Sequence, residues 1–361
     1  MDERGSPAPP SSRSFRGRGS ARNPQNRFLP LVVEPDAWTL AEDPDPDTIL
    51  LRDASRSILA TNDSPDVGFD VSLNPYRGCS HGCSYCYARP THEYLGFSAG
   101  LDFETKILVK EDAPRLLRAA LAKASWTPRP IAISGVTDAY QPAERRLRVT
   151  RGCLEVLAEY RNPVVVVTKS HLVTRDVDLL GELAAFRAVK ANLSVTTLDG
   201  ELARKLEPQA AAPHRRLDAI RRLAAAGIPV GVMVGPVIPG LTDHELPSIL
   251  EAGAEAGATS ASYILLRLPH GVKELFADWL ERNAPDRKKK VLGRVRDVRS
   301  GRLNDPRFRS RMRGEGPYAE QIRSMFEVTA RRLGLDRRGE PLSTDAFRRP
   351  APGGQGDLFA K

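Results

Sequence analysis

The sequence predicts an α/β fold: a partial (β/α)6 barrel of parallel strands with a basic, mostly helical C-terminal extension and disordered termini. Short apolar runs rich in β-branched residues alternate with amphipathic helical segments through the middle of the chain. Six such runs are fewer than the eight that close a barrel, so we expect an open sheet with its functional site at the carboxyl ends of the strands. With 361 residues, 41% hydrophobic and 27% charged, the chain is long enough for one large core and an appendage.

Two segments precede the barrel. Residues 1–27 consist mostly of Pro, Ser, Gly and Arg, which cannot bury enough apolar surface to offset the entropy of ordering, so we expect a disordered basic tail. Its Arg16-Gly17-Arg18-Gly19 sequence suits contact with nucleic acid and equally suits a solvated tail with no specific role. Residues 28–66 gain apolar side chains but are rich in proline, which predicts an ordered strap on the core rather than regular secondary structure.

The barrel is predicted over residues 67–270. Strands are expected at six apolar runs: 69–73, 131–135, 164–168, 192–197, 230–234 and 262–268. Gly227 is expected to end the helix before the fifth strand, and residues 242–245 have the form of a capping box that would begin the next helix. Right-handed crossovers between successive strands then give a curved sheet.

Positive charge is concentrated after the barrel. Residues 271–347 are predicted to form a basic, mostly helical extension, and residues 348–361 a flexible tail. Between Arg287 and Arg313, twelve Lys or Arg and two Asp residues give a local net charge of +10, against +9 for the entire chain. So basic a segment favours binding of a polyanion through its phosphates, although arginine-rich helices also serve as solvated surfaces.

The most informative motif is a loop after the first predicted strand, in which Cys79, Cys83 and Cys86 are separated by three and two residues. Thiolates at this spacing bind iron–sulfur clusters or zinc. A four-iron cluster held by three cysteines leaves one iron without a protein ligand, an open position typical of catalytic metal sites. A zinc knuckle or a structural cluster would require a fourth ligand nearby, whereas Cys153 is distant in the sequence and His81 lies inside the loop.

These three cysteines, with the aromatic Tyr85 before the last of them, resemble the signature of the radical S-adenosylmethionine (SAM) enzymes. The resemblance implies a 4Fe-4S cluster bound by the three cysteines and SAM bound at the open iron. It also implies that SAM is cleaved to methionine and a 5′-deoxyadenosyl radical, which abstracts a substrate hydrogen. A reducing partner such as flavodoxin or ferredoxin would supply the electron.

Further stretches resemble the spore photoproduct lyase-like group of radical SAM enzymes, often described as DNA-repair photolyases. They span roughly residues 71–268 and comprise residues 82–87, 167–169, 206–208, 215–216 and 226–231. The resemblance implies that Lys169 pairs with the methionine carboxylate of SAM and that Ser194 contacts its ribose. It places Tyr85 beside the adenine and gives Tyr87 a role in relaying a hydrogen atom.

The sequence departs from the lyase pattern at Gly135, which occupies the place of the lyase's hydrogen-donor cysteine. Cys153 does not replace that cysteine, because it lies in an apolar-periodic helix where a cysteine is usually a buried core thiol. The departure argues against repair of the spore thymine dimer by the lyase's own route.

Four more charged residues are candidates for contacts with the cofactor or the substrate. Asp138 follows the second strand at the mouth of the barrel, as does Glu144, whose alternative role is a charge at a helix N-terminus. Glu207 and Arg216 are either cofactor or substrate ligands or an ion pair on a helix surface.

The C-terminal tail contains a short docking motif. Residues 355–359, Gln-Gly-Asp-Leu-Phe, resemble the pentapeptide with which bacterial repair and replication proteins bind the sliding clamp. Three of the four cysteines belong to one loop, which indicates a reducing compartment, and no apolar run reaches the roughly 18 residues of a membrane helix. The expected location is therefore the cytoplasm, with no membrane partner.

Together these features predict a radical SAM enzyme acting on nucleic acid, in the first instance on a DNA base that leaves the helical stack. One alternative is a radical enzyme that modifies RNA or a protein. Another is a non-enzymatic nucleic-acid-binding protein with a structural or redox-sensing cluster. Cleavage of SAM separates the last alternative from the others, because a structural cluster has no reason to cleave it.

Overall fold

The computed structural model describes residues 15–29, 47–336 and 340–350. The described residues contain ten strands: β1 (Ile49–Arg52), β2 (Leu59–Thr61), β3 (Val71–Leu73), β4 (Tyr76–Arg77), β5 (Lys106–Val109), β6 (Ile131–Ile133), β7 (Val164–Thr168), β8 (Val189–Val195), β9 (Val230–Val237) and β10 (Ser260–Leu265). Seven of them form one sheet in the order β10-β9-β8-β7-β6-β3-β2, in which β2 alone runs antiparallel to its neighbour. The six parallel strands are those expected from the sequence, so the predicted α/β fold with an open parallel sheet is confirmed.

The structure differs from the sequence prediction at strand ends and outside the barrel. β6 stops at Ile133 because Ser134 and Gly135, with φ of 88° and 153°, turn the chain out of the sheet. β1, β5 and β4 form a separate three-stranded sheet that the sequence analysis missed. β1 and β2, which lie in the predicted strap, are four and three residues long and largely half-exposed or exposed, too short for an apolar alternation to be recognised.

Twelve α-helices occur in the same part of the chain: α1 (Leu101–Thr105), α2 (Ala113–Ala122), α3 (Glu144–Leu147), α4 (Val149–Tyr160), α5 (Val177–Ala185), α6 (Gly200–Leu206), α7 (Pro213–Ala225), α8 (Leu246–Glu255), α9 (Val272–Asn283), α10 (Pro285–Asp297), α11 (Ser310–Arg313) and α12 (Pro317–Arg332). Gly227, with φ of 73°, follows α7 as expected. The expected capping box does not form, because Thr242 Oγ1 accepts a hydrogen bond from Ile238 N and the Glu245 carboxylate binds Thr197 Oγ1 at 2.6 Å. Among the described residues, none of the helices has the length and apolarity needed to cross a bilayer.

Residues 15–29 lie against the barrel, which corrects the expectation of disorder for residues 15–27. The backbone N–H groups of Gly19 and Ser20 each donate to the buried carboxylate of Glu104 at 2.9 Å. Gly19 packs so closely that a Cβ atom there would be 1.8 Å from the carbonyl oxygen of Gly82. Polar contacts with a distant carboxylate order this segment, and its composition gives no sign of them. Residues 1–14 and 30–46 lie outside the described residues.

The C-terminal extension is joined to the barrel by buried contacts. Arg299 lies within the basic segment but is 1% exposed, and it donates to the carbonyl oxygens of Ser310 and Leu266 at 2.5 and 2.8 Å. α9 and α10 share an apolar cluster with Tyr85 of the cysteine loop, so the extension is continuous with the loop. Arg348, at the start of the predicted flexible tail, donates its N–H to Tyr160 O at 3.0 Å. Residues 351–361, with the clamp-like pentapeptide, lie outside the described residues.

Candidate active site

The cysteine loop leaves β4 and turns sharply at two glycines. Gly78 and Gly82 have φ of 80° and 69°, a backbone conformation that favours glycine. A Cβ atom at Gly78 would also lie 2.9 Å from the carbonyl oxygen of Phe103, which accepts the N–H of Cys79 at 2.9 Å. The two glycines therefore allow the loop to fold tightly enough to bring its three cysteines to one end of the barrel.

A buried ion pair supports the loop from beneath. Arg89 and Glu104 are both 0% exposed, and Arg89 Nη2 lies 2.5 Å from Glu104 Oε1. The same guanidinium donates to the carbonyl oxygen of Cys83 at 2.8 Å and to that of Gly100 at 2.9 Å. Glu104 also receives the two N–H groups of residues 19 and 20 described above, so one buried pair joins the cysteine loop to the N-terminal segment.

Two polar residues that follow β6 support the loop from the side. Gln141 Oε1 accepts the N–H of Ser80 at 3.0 Å, and Gln141 Nε2 donates to Gly78 O at 3.3 Å. Thr137 Oγ1 donates to the same carbonyl oxygen at 2.6 Å. The amide and the hydroxyl thus fix the loop backbone on both sides of Cys79.

The structure brings the three sequence-predicted cysteines together. All three are free thiols; Cys79 is buried, and Cys83 and Cys86 are half-buried. Burial and the nearby carboxylate of Glu207 raise the pKa of Cys83 well above its usual value, with further contributions from Cys86 and Cys79. Cys86 packs against the apolar cluster that contains Cys79, Ala88 and Phe103.

Asp138 links the cysteine loop to the end of β7. Its carboxylate accepts hydrogen bonds from Thr168 Oγ1 at 2.7 Å and Lys169 N at 2.9 Å, and it lies 3.4 Å from His81 Nδ1. Burial opposes ionisation of this group, but His81 and the hydrogen-bond donors outweigh burial and lower the pKa of Asp138 to about 2. The ionised carboxylate is occupied by protein contacts, and its observed effect is to position Lys169.

Tyr85, Glu207 and Arg216 form a buried network on the other side of Lys169. The Tyr85 hydroxyl donates to Glu207 Oε1 and lies 3.1 Å from Thr196 Oγ1. Glu207 pairs with Arg216, and the side chains of this pair are 0% and 1% exposed. The alternative of an ion pair on a helix surface is therefore wrong. The Lys169 ammonium lies 5.9 Å from the centre of the Tyr85 ring, and no carboxylate of the described residues is within 4 Å of it.

Tyr87 stands at the mouth of the barrel with 46% of its surface exposed. Its hydroxyl donates to the carbonyl oxygen of Gly135 at 2.6 Å. The guanidinium of Arg267, which follows β10, lies 5.1 Å from the centre of its ring. The exposed tyrosine thus contacts the residue that takes the place of the lyase's cysteine.

The remaining candidates lie at different depths. Ser194 is 3% exposed near the end of β8, and its carbonyl oxygen accepts from Arg216 Nη1 at 3.1 Å. Glu144 is 0% exposed and binds Tyr76, Thr150 and Arg175, so it is a core residue and not a group at the mouth. Cys153 is 0% exposed in the core, which agrees with the interpretation as a buried thiol.

Sequence reasoning missed the residues that hold the cysteine loop, namely Arg89, Glu104, Thr137 and Gln141. Glu104, Thr137 and Gln141 bind backbone groups that are distant in the sequence, and no spacing pattern marks such contacts.

Comparison with known proteins agrees with this geometry. Residues 73–252 match the Radical SAM superfamily. An uncharacterised protein of Mycobacterium tuberculosis (strain ATCC 25618 / H37Rv) is 37% identical over 281 residues, which cover 77% of this chain and 79% of the relative. The chain belongs to the radical SAM superfamily. It is therefore a radical SAM enzyme, and membership decides against the non-enzymatic alternative.

This radical SAM enzyme is also similar to two proteins that have names. Spore photoproduct lyase complexed with dinucleoside spore photoproduct has a similar fold, with a TM-score of 0.56 and 15% identity over 79% of both chains. A protein of Pseudomonas phage M6 named radical SAM Nalpha-GlyT isomerase is 28% identical over 176 residues, covering 48% of this chain and 35% of the phage protein. The first likeness shows the shared fold, and the second covers a minority of the phage protein.

The cysteine loop fits the iron–sulfur cluster and the SAM that the superfamily implies. Three thiols are the soft donors that iron–sulfur clusters use, and a bound cation deprotonates thiols whose pKa burial has raised. No group of His, Cys, Asp or Glu within the described ranges converges as the ligands of one metal ion do, and a cluster of several irons does not require such convergence. Lys169, which has no carboxylate partner among the described residues, lies near the buried ring of Tyr85 in the cysteine loop. An ammonium group and an aromatic ring suit a ligand such as SAM, which carries a carboxylate and an adenine.

We expect Glu207 to make the enzyme sensitive to acid. Burial would raise the pKa of Glu207, but Arg216 and Lys169 lower it to about 2, below the value of about 4.3 in an unfolded chain. The stabilisation is therefore complete above about pH 4.3 and lost as the pH falls toward about 2. Between about pH 5 and about pH 3, the urea unfolding free energy should fall less for Glu207→Gln than for the wild type. Glu201→Gln, exposed on α6, should behave as the wild type; equal pH dependence in all three proteins would contradict the assignment.

Proposed function

We propose that this enzyme binds a 4Fe-4S cluster through Cys79, Cys83 and Cys86 and acts on a base in DNA. The observation that carries the proposal is the placement of the three thiols on one loop that Gln141 and Arg89 hold by hydrogen bonds, with Tyr85 in the same loop and Lys169 beside its ring. When bound, the cluster and SAM supply a 5′-deoxyadenosyl radical to a substrate at that mouth. The chain's own residues hold the cysteine loop, orient SAM and limit access of water.

The proposed SAM site uses three residues in and around the cysteine loop. Lys169 would bind the methionine carboxylate, because its ammonium has no carboxylate partner within the described residues and its backbone is held by Asp138. Tyr85 would lie beside the adenine, with its hydroxyl fixed by the Glu207–Arg216 pair, and Ser194 would face the ribose from β8. In this proposal Asp138, Glu207 and Arg216 do not contact SAM. They position the residues that do, namely Lys169 and Tyr85.

Lys169→Met should weaken SAM binding about 10- to 100-fold, because a hydrogen bond to a charged group contributes about 1.5–3 kcal/mol. The measurement is equilibrium binding of labelled SAM to the reconstituted enzyme without oxygen. Lys205→Met is the matched control, since the Lys205 side chain is exposed on α6. Unchanged affinity in Lys169→Met would remove Lys169 from the SAM site.

Charge at the mouth supports nucleic acid as the substrate. In the basic segment, Arg287, Lys289 and Lys290 on α10 are exposed and have no ion-pair partner among the described residues. The extension also reaches the mouth, where Arg267 contacts the ring of Tyr87 and lies 3.7 Å from Met312 Sδ of α11. Exposed cations on the extension, together with an exposed tyrosine at the mouth, suit a polyanion from which a base is presented to the barrel.

Tyr87 is the proposed catalytic residue of the chain. Its exposed ring and its hydroxyl, fixed by Gly135 O, place it where a substrate entering the mouth would meet it. Gly135 offers no side chain to donate hydrogen, so the lyase's own final step is not part of the proposal. We also infer a cytoplasmic location and reduction by flavodoxin or ferredoxin. Docking on a sliding clamp through residues 355–359 stays a prediction from the sequence.

The test is formation of 5′-deoxyadenosine by the reconstituted enzyme with dithionite and SAM, with and without duplex DNA. Stimulation by DNA is expected, and Lys289→Gln/Lys290→Gln should reduce that stimulation. Arg323→Gln/Arg331→Gln on α12 removes the same charge from exposed positions elsewhere and should not. Cleavage of SAM that DNA leaves unchanged would overturn the DNA assignment and favour RNA or protein as substrate.

A further inference from the structure

A cleft lies beside the cysteine loop. It is a cleft of about 340 Å³ between the loop after β6, the loop after β7 and the segment that precedes α7. Its lining includes Arg145, Arg175 and Arg215, together with His171, and His81 of the cysteine loop contributes as well. No acidic side chain lines it. The cleft therefore presents positive charge in a space that can enclose a small group.

Two of its three arginines carry charge that the protein does not neutralise. Arg175 is paired with Glu144 at 2.7 Å and with Asp176 at 2.8 Å. Arg145 and Arg215 are exposed and have no ion-pair partner among the described residues. The nearest acid, Asp218, is shared by His171 Nε2 at 2.7 Å and Arg222 Nε at 2.9 Å. The cleft thus keeps two cations available for a ligand.

His171 fixes the direction of one of them. Its Nε2 lies 2.7 Å from a carboxylate oxygen of Asp218, which can only accept, so Nε2 carries the proton. Its Nδ1 is then an acceptor for Arg215 Nη2 at 3.1 Å. A guanidinium held by an imidazole on one side presents its remaining N–H groups in a fixed direction, as recognition of an oxyanion requires.

The position of the cleft relates it to the proposed substrate. The loop after β7 contributes Lys169 to the SAM site and the next residue, Ser170, to the cleft. The basic C-terminal extension is attached to the end of β10 through Arg299, and β9, β8 and β7 separate β10 from β6 in the sheet. The cleft and the attachment of the extension therefore lie at different positions along the row of strand ends. A strand crossing the mouth would meet cations at both.

We propose that the cleft binds a phosphate group of a nucleic-acid strand through Arg145 and Arg215. That the phosphate belongs to a nucleic acid rests on the proposed function. That the cleft binds a phosphate rests on its lining residues alone. Phosphate contacts of this kind fix the register of a strand without reading its sequence. The cleft would hold a phosphate at a distance from the nucleotide that enters the barrel.

The test compares Arg145→Gln/Arg215→Gln with Arg146→Gln/Arg204→Gln in the reconstituted full chain. The control residues are exposed on α3 and α6, their replacement removes the same charge, and they do not line the cleft. One probe is inorganic pyrophosphate, measured by calorimetry. The other is a labelled single-stranded oligonucleotide, measured by anisotropy over a range of salt concentrations.

The cleft variant should bind both probes about tenfold more weakly than the control variant. For one lost phosphate contact, the slope of log affinity against log salt should decrease by about 0.7 on a single strand. Loss of pyrophosphate binding alone would assign the cleft to a small phosphate ligand and overturn the nucleic-acid source. If the cleft variant binds pyrophosphate more weakly and the wild type does not bind the oligonucleotide at all, the proposed function is wrong. The assignment of a phosphate site to the cleft would still hold.

If the two variants bind both probes equally, the proposal is wrong. Slower reduction of the cluster by flavodoxin in the cleft variant would, in that case, assign the cleft to an acidic protein. Circular dichroism of each variant confirms that it is folded, which is expected because both arginines are exposed.

Discussion

Alanine at any one of Cys79, Cys83 or Cys86 is expected to reduce 5′-deoxyadenosine formation to background. Three thiols are the minimum that can hold the cluster and leave one iron open, and the described residues offer no replacement sulfur, since Cys153 is buried in the core. Each variant should also lose the charge-transfer absorption of the cluster after reconstitution, and its iron content should fall. Iron and sulfide analysis with product chromatography measures both effects.

Cys153→Ala is the matched control for these variants. Cys153 is 0% exposed on α4, far along the chain from the cysteine loop, and it packs among apolar residues. The substitution should lower stability modestly and leave the iron content and SAM cleavage of the wild type. A cluster that persisted in Cys83→Ala, or one that disappeared in Cys153→Ala, would contradict the assignment of the ligands.

Arg89→Met should lower the free energy of unfolding by about 3–5 kcal/mol, as expected when one partner of a buried ion pair is removed. The substitution leaves the 0% exposed carboxylate of Glu104 without its cation and the carbonyl oxygens of Cys83 and Gly100 without a donor. It should also release the N-terminal segment that Glu104 holds through Gly19 N. Denaturant unfolding of the cluster-free protein isolates the packing effect from metal binding.

The control for Arg89 is an exposed pair of the same chemistry. Arg118 pairs with Glu159, and their side chains are 48% and 34% exposed. Arg118→Met should cost less than about 1 kcal/mol, because solvent screens an exposed pair. After reconstitution, Arg89→Met should in addition hold less iron than Arg118→Met. Equal losses of stability in the two variants would show that the Arg89–Glu104 pair does not support the loop.

The parts of the fold that the sequence predicted correctly are those with a local pattern. The apolar run at residues 164–168 coincides with β7, because a strand buried on both faces needs an unbroken series of apolar side chains. The three cysteines could be predicted as ligands for a similar reason. Ligands of one cluster have to be close in the chain when a single loop supplies them. The short edge strands β1 and β2 lack any such pattern, and they were missed.

The sequence left the role of charged residues open where a partner is distant. From the sequence, Glu207 and Arg216 fit an ion pair on a helix surface as well as they fit a functional pair. Their side chains are 0% and 1% exposed, which excludes the surface pair. Arg299 counts toward the basic segment by composition, yet it is buried and binds backbone carbonyls. The composition of residues 15–27 predicts disorder. In the structure, the carboxylate of Glu104, more than 80 residues away, binds part of this segment.

The sequence by itself determined the superfamily, the three thiols and the alternation of strands and helices. These features depend on residue type and spacing along the chain, which the sequence states directly. Only the tertiary structure decided which polar groups hold the cysteine loop, which arginines have no ion-pair partner among the described residues, and where the arginine-lined cleft lies. Those properties depend on burial and on distances between remote residues, because a charge has a different role when its partner and its solvent exposure change.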